Sequence, residues 1–180
     1  QKIYPIHDYL FICGQFEGII CYHLKEKNFR QIKIDNNSSD YKQPSISEIS
    51  YLKDNRFAIS NKRFIYELIF EGDHYLQTNY NVHRRVTYER QYEQLIRNRI
   101  NKLYYDTDNH VLWIGTYGNG LVRQNISKSY AYRIKLQENI YHINDIVQDA
   151  QGYIWLGTRN YGIQKSTDNN LTKDTRFISW

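Results

Sequence analysis

The chain has 180 residues, of which 41% are hydrophobic and 24% charged, values of an ordinary globular protein that exclude a disordered one. Nine glycines and two prolines exclude a collagenous or linker-like chain, and no apolar run approaches the length of a membrane span, Leu10 to Cys13 being typical. The net charge of +5 suits an acidic partner such as nucleic acid, an anionic membrane surface or an anionic polysaccharide, and is equally ordinary for a domain with none. There is no methionine and no secretory leader pattern, so Gln1 is not expected to be the translated start and the chain reads as a processed product or a piece of something longer.

Short runs of β-branched and aromatic residues, separated by Asp, Asn and Gly turns at intervals of roughly 8–12 residues, predict an all-β fold. In chain order, the first runs are Leu10-Phe11-Ile12-Cys13 and the stretch from Glu17-Gly18-Ile19. Cys13 and Cys21 flank the turn between them; two cysteines are too few for a disulfide scaffold or a zinc site and are expected as buried thiols. Next come Ile46-Ser47-Glu48-Ile49, a turn at Lys53-Asp54-Asn55, and Arg56 to Ser60. Asn81 to Arg99 is different: Arg84, Arg85, Arg90, Arg97 and Arg99 stand among tyrosines and glutamates, and Tyr88 to Ile96 suits a short helix. It is expected to be a solvated insertion around residues 81–99.

The last two segments carry the main signal, an internal repeat. Ile100-Asn101-Lys102-Leu103, a turn at Asp106 to Asn109, and the run Val111 to Leu121 containing Trp113-Ile114-Gly115-Thr116 form one copy. Ile143-Asn144-Asp145-Ile146, a turn at Asp149 to Gly152, and Tyr153 to Ile163 containing Trp155-Leu156-Gly157-Thr158 form the next. Trp113 and Trp155 are 42 residues apart, as are Gly115 and Gly157. Phe11 and Ala58 occupy the tryptophan place in the two weaker upstream copies. The best copy divides into strands at Ile143–Gln148 and Tyr153–Thr158, a third starting at Gly162, and a fourth over Lys173–Ser179, where Phe177 and Trp180 are the main apolar groups.

Four strands in some 42 residues make one β-propeller blade, a twisted sheet packed face to face on its neighbours. The fold class is therefore all-β, about four four-stranded blades over residues 1–42, 43–98, 99–141 and 142–180. The repeat tryptophans, Trp113 and Trp155, are expected to fill the space between blades, with the glycine two residues later leaving room where sheets crowd. Four blades could close on themselves, or two copies could complete a ring; the favoured reading is a fragment of a larger propeller.

The stretches Ile143 to Thr158 and Ile100 to Leu121 resemble the two-component regulator propeller repeat, strongly over residues 100–165 and faintly over 9–70. The glycine pair usual after the W-I-G-T strand is replaced by Gly118-Asn119-Gly120 in one copy and Tyr161-Gly162 in the other. Such repeats build the extracytoplasmic sensor portion of hybrid two-component histidine kinases, abundant in gut Bacteroides. The resemblance implies a periplasmic module that detects oligosaccharides, in a protein whose kinase lies beyond a membrane-spanning segment outside this chain. It also implies a homodimer in which ligand changes how propellers pack. The phosphoacceptor histidine is then not to be sought here.

Propeller ligands meet the channel mouth, where the loop between strands two and three lies near the start of strand one. The candidates there are Tyr117, Asn119, Arg159, Asn160 and Tyr161 on the loops, with Arg99, Asn101, His142 and Asn144 at the strand starts. Tyrosine stacks on sugar rings, while asparagine and arginine reach hydroxyls and carboxylates, arginine favouring an acidic glycan.

No catalytic set is expected: there is no G-x-S-x-G, no H-E-x-x-H and no phosphate-cradling glycine loop. His7, His23, His74, His83, His110 and His142 show no ligand spacing and read as surface imidazoles, and Asp106-Thr107-Asp108-Asn109 reads as a turn because it lacks the glutamate of a calcium loop. No cofactor and no metal is implied. The rival readings are a propeller lyase or hydrolase acting on polysaccharide, and a propeller interaction module for protein or for nucleic acid, the last using the arginines of residues 84–99.

Overall fold

The computed structural model describes residues 1–34, 45–61, 64–84, 99–126, 130–137, 139–169, 171–172 and 174–180. They form four antiparallel sheets of four strands each, with no helix among the described residues. The expected helix at Tyr88 to Ile96, with Arg85, Arg90 and Arg97, lies outside them, as does Lys173. The chain divides into two compact units, Gln1–Arg85 and Val86–Trp180, with two blades in each.

In the first unit, β1 (Lys2–Ile6), β2 (Tyr9–Cys13), β3 (Ile19–His23) and β4 (Asn28–Ile32) pair in sequence order, as do β5 (Glu48–Lys53), β6 (Arg56–Ser60), β7 (Ile65–Phe70) and β8 (Tyr80–Arg84). The β5–β6 hairpin turns on Asp54 and Asn55, both at positive φ (50° and 59°), residue types that tolerate the left-handed region of such tight turns. Gly18 has φ of 74°, and a β-carbon there would lie 2.1 Å from the Ile32 carbonyl oxygen, so only glycine fits. Alternate residues of β2, Tyr9, Phe11 and Cys13, enter one buried cluster with Ile46, Ile49, Phe57 and Ile59 of the second blade. Phe11, in the tryptophan place, is fully buried and its ring centroid lies 4.9 Å from that of Phe57. Cys13 and Cys21 are free buried thiols, as expected; Cys21 faces Phe11 across the β2–β3 pair, and Cys13 lies two residues further along β2.

The second unit contains β9 (Ile100–Asp106), β10 (Val111–Thr116), β11 (Leu121–Asn125) and β12 (Ala131–Arg133), then β13 (Ile143–Gln148), β14 (Ile154–Thr158), β15 (Ile163–Ser166) and β16 (Phe177–Ser179). The last strand is shorter than expected, and the third begins one residue later. All six residues of β10 are buried. Val111 and Trp113 join Ile143, Ile146, Ile154 and Leu156 in one core that spans both blades. A β-carbon on Gly115 would sit 2.8 Å from Ile143 Cγ2, the crowding expected at the glycine of this motif.

The expectation of a blade-filling tryptophan holds for Trp113, which has no exposed surface, and must be corrected for Trp155. Trp155 is half-buried on the opposite face of its sheet from Ile154 and Leu156, and Trp180 is 77% exposed, because no further blade in the unit covers that face. The Trp155 indole N–H donates to Asp149 Oδ2 at 2.8 Å, and Lys165 Nζ lies 4.7 Å from its ring and 4.3 Å from that of Tyr153.

One charge pattern recurs at both blade junctions. Lys2 of β1 pairs with Glu48 of β5, and Lys102 of β9 pairs with Asp145 of β13 at 2.8 Å. All four occupy the same place in their first strands, two residues before the position opposite Phe11, Ala58, Trp113 or Trp155.

Candidate functional site

The loops after β10 and β14 and the segments leading into β9 and β13 meet at one end of the second unit. Both loops are built alike. Thr116 Oγ1 donates to the Gly120 carbonyl and accepts the Asn119 N–H; Thr158 Oγ1 donates to the Gly162 carbonyl and accepts the Tyr161 N–H. The threonine of the W-(I/L)-G-T motif thus closes each loop, and Gly120 and Gly162 take positive φ (70° and 63°) to let it.

Backbone bonds then tie each loop to a strand start. The Tyr117 N–H donates to the Arg99 carbonyl at 2.7 Å, those of Gly118 and Gly120 both donate to the Tyr141 carbonyl at 2.8 Å, and that of Arg159 donates to the His142 carbonyl at 3.2 Å. Tyr117 and His142 also form an isolated bridge, with ring centroids 4.2 Å apart. Arg159 donates through Nη1 to the Tyr117 hydroxyl at 2.5 Å, its guanidinium carbon 5.6 Å from the ring centroid. Three expected site residues, Tyr117, His142 and Arg159, therefore form a layered cluster drawn from both blades. His142 Nδ1 is buried with no hydrogen-bond partner among the described residues.

Around this cluster Arg99, Asn144, Asn160 and Tyr161 are exposed, Tyr161 by 44%. Asn101 has a structural job: its amide donates to the Ile143 carbonyl at 3.0 Å, joining β9 to β13. Asn119 contributes its backbone N–H to the loop. The exposed arrangement offers a tyrosine ring, an imidazole and a guanidinium at one rim, with asparagines beside them. That chemistry favours hydroxyl and carboxylate groups of a polar ligand.

The first unit holds a cluster that spacing did not reveal. His7, His23 and His74, read from sequence as separate surface imidazoles, line one cavity of about 410 Å³ with Asp8, Asn55 and Asp73, over a floor of Tyr9 and Tyr75. Glu26 Oε1 lies 2.8 Å from His74 Nε2 and 3.3 Å from His23 Nδ1. The Asp8 carboxyl is held below its usual range by the hydrogen bond from Lys25, while burial pushes the Tyr9 hydroxyl up. Among the described residues no group of three or more His, Cys, Asp or Glu is placed to hold a metal ion. The three histidines come from two turns and a strand end of two different blades, so no local motif could have announced them.

Two stretches of the chain, residues 94–118 and 137–160, match the family model of the two component regulator propeller. No curated protein matches. Among solved structures, the extracellular domain of BT4673 from B. thetaiotaomicron, titled a one component system in one structure and a hybrid two component system in another, is similar at 19% identity. The match covers 91% of this chain and 20% of that one, with TM-scores of 0.61 and 0.59. YCF48 from Cyanidioschyzon merolae matches at TM-score 0.62 and 15% identity over 98% of this chain and 55% of its own. The β-propeller domain of Cps50 (Swd1) from Myceliophteria_thermophila matches at TM-score 0.59 and 12% identity, over 92% and 52%. At these identities the likeness is one of fold, that of propeller blades. The chain spans about a fifth of the length of the BT4673 domain.

Proposed function

From a chain that carries two-component regulator propeller repeats, we propose a non-catalytic recognition segment of the periplasmic sensor of a hybrid two-component system. The repeat match supports this reading, and so does the extracellular character of BT4673. The ligand class is an oligosaccharide, and an acidic one is favoured. The observation that carries this is the cluster of Tyr117, His142 and Arg159, which gathers a stacking ring and a cation at loops closed by the repeat's own threonines. In this reading the kinase lies elsewhere in a longer polypeptide, and ligand acts by changing how propellers pack in a dimer.

The test is calorimetric titration of the chain with a panel of neutral and acidic oligosaccharides, repeated for Arg159→Ala and Tyr117→Ala. A charge-assisted hydrogen bond contributes about 1.5–3 kcal/mol, so Arg159→Ala is expected to weaken an acidic glycan by roughly 10- to 100-fold and a neutral one far less. Tyr117→Ala should weaken both. Equal affinity in the wild-type chain and both variants, or turnover of a glycan by the chain, would overturn the reading.

A further inference from the structure

The histidine cavity of the first unit lies at the opposite end of its sheets from the β2–β3 loop, the counterpart of the loops that carry Tyr117 and Arg159 in the second unit. Its walls come from the β1–β2 and β5–β6 turns, the end of β3 and the β7–β8 connection. These pieces are fixed to one another. The Leu24 N–H donates to the Asp8 carbonyl at 2.9 Å, and Arg30 of β4 reaches into the β7–β8 connection to donate to the Thr78 carbonyl at 2.6 Å. The Gln77 and Thr78 N–H groups donate in turn to the His74 carbonyl. At about 410 Å³ the cavity has room for a small organic molecule, and binding one would not have to order its walls.

Its lining is rich in rings and carries no lysine or arginine. The Tyr9 ring centroid lies 4.5 Å from that of His23, 4.7 Å from Tyr75 and 6.5 Å from His74, and the His7 ring is held edge-on to Tyr51 at 5.2 Å. Elsewhere in the chain such rings carry a cation of the protein itself: Lys165 over Tyr153 and Trp155, Arg30 over Tyr80, Arg123 over Trp113 and Tyr132. Among the described residues no cation sits on Tyr9 or Tyr75. The carboxylates are similarly unbalanced. Lys25 is taken by Asp8 at 2.7 Å, and Glu26 stands behind His23 and His74, whereas exposed Asp73 has no cationic partner among the described residues. Burial above all, with the Asp73 charge a lesser cause, pushes the Tyr9 and Tyr75 hydroxyls up, so Asp73 is within electrostatic reach of the aromatic floor.

We infer that this cavity binds a small organic cation, a protonated amine whose ammonium group meets the Asp73 carboxylate while its carbon skeleton lies among the rings. Ring faces attract a cation, and an ammonium supplies three donors to a site whose charged groups only accept. An anion would meet the Asp73 and Glu26 charges with no free lysine or arginine to offset them. A bare metal ion would find no set of three ligands among the described residues. An uncharged alcohol could take the same hydrogen bonds but not the charge, so it should bind more weakly. The inference does not depend on the glycan reading, since it concerns different residues in a different unit.

Proton NMR titration of the full chain with benzylamine and butylamine, and with benzyl alcohol and benzoate as uncharged and anionic counterparts, tests it. Expected is saturable binding of the amines, with the imidazole C–H signals of His7, His23 and His74 shifting together while those of His110 and His142 stay in place. Benzyl alcohol should bind roughly tenfold more weakly than benzylamine, and benzoate more weakly still. Asp73→Asn should weaken the amines roughly tenfold, whereas Asp108→Asn, which removes the same charge from an exposed turn of the second unit, leaves them unchanged. Circular dichroism checks that both variants keep the wild-type sheet signal, and the comparison of amine, alcohol and benzoate on the wild-type chain stands without them. No saturable binding of either amine would overturn the inference, as would benzyl alcohol or benzoate binding as tightly as benzylamine. Equal effects of the two substitutions, or shifts centred on His142, would do the same.

Discussion

Gly115 and Gly157 occupy the same place in two copies of one motif, and replacing each by alanine should move stability in opposite directions. At Gly115 the new β-carbon would lie 2.8 Å from Ile143 Cγ2, 3.1 Å from Ile143 Cβ and 3.3 Å from Ile146 Cδ1. Ile143 cannot swing aside, because a β-branched side chain has little χ1 freedom. Its backbone is also held, by the Asn101 amide at 3.0 Å and by pairing with Thr158. Relief must come from the two sheets moving apart, and overpacking of this kind costs about 1–3 kcal/mol. At Gly157 the nearest atom is Asp145 Cβ at 3.5 Å, an ordinary contact. There alanine only restricts the unfolded chain, a stabilisation of about 0.4–1 kcal/mol. With a urea slope of about 2 kcal/mol/M, Gly115→Ala should lower the midpoint by roughly 0.5–1.5 M while Gly157→Ala leaves it level or raises it. Urea unfolding followed by tryptophan emission, at concentrations where the chain is monomeric, measures both. Equal losses from the two substitutions, or a larger loss at Gly157, would refute the account of why the motif carries glycine.

Trp113→Ala should cost about 3–5 kcal/mol by emptying a closed site, whereas Trp155→Ala should cost about 1 kcal/mol; denaturant midpoints compare them. Burial pushes the Cys13 thiol up to about 11 and the Cys21 thiol up to about 12. Both are therefore expected to resist a thiol reagent at pH 8 in the native chain and to react in denaturant, counted by mass spectrometry. The Asp149 carboxyl is held below its usual 3.8, first by the Trp155 indole N–H and then by the N–H groups of Tyr153 and Gln151. A lowered carboxyl value stabilises the fold above the unfolded value and ceases to do so as pH falls through the folded one. Wild type should accordingly lose stability on acidification below pH 4 more than Asp149→Asn does, as followed by thermal melts at stepped pH.

The blades were legible because a propeller repeats its demands. W-(I/L)-G-T needs a large ring beside a bare backbone, and those residue types at a fixed interval are hard to arrange otherwise. Phe11 could be placed in the tryptophan position on the same grounds, and its burial bears this out. What the motif could not tell was the environment of each copy. Trp113 and Trp155 sit in nearly identical strings, yet one is sealed and the other half open, because burial depends on the sheet that comes next rather than on the strand itself. The candidate site divides in the same way. That Tyr117, His142 and Arg159 would lie together was legible because loops and strand starts of consecutive repeats must converge. Asn101 looked like a ligand group from its position but spends its amide on the Ile143 carbonyl. The histidine cavity stayed hidden because its members are brought together by turns at both ends of the first unit's sequence, His7 and His74 among them.

In the proposed reading, the geometry of the second unit ties ligand binding to blade packing. Arg159 and His142 belong to one blade and Tyr117 to the other, so the cluster a ligand would meet is itself a contact across the junction. The same junction is held a few residues away by the Lys102–Asp145 pair and the Asn101 amide. A ligand that took the Arg159 guanidinium for its own carboxylate would withdraw it from the Tyr117 hydroxyl and remove one tie between the sheets. Linkage makes such an effect reciprocal: whatever binding does to the junction, the state of the junction does to binding. A substitution that loosens the blades without touching the loops, Gly115→Ala above all, should therefore change ligand affinity. Gly157→Ala, on the face that no blade of the unit covers, should leave it alone.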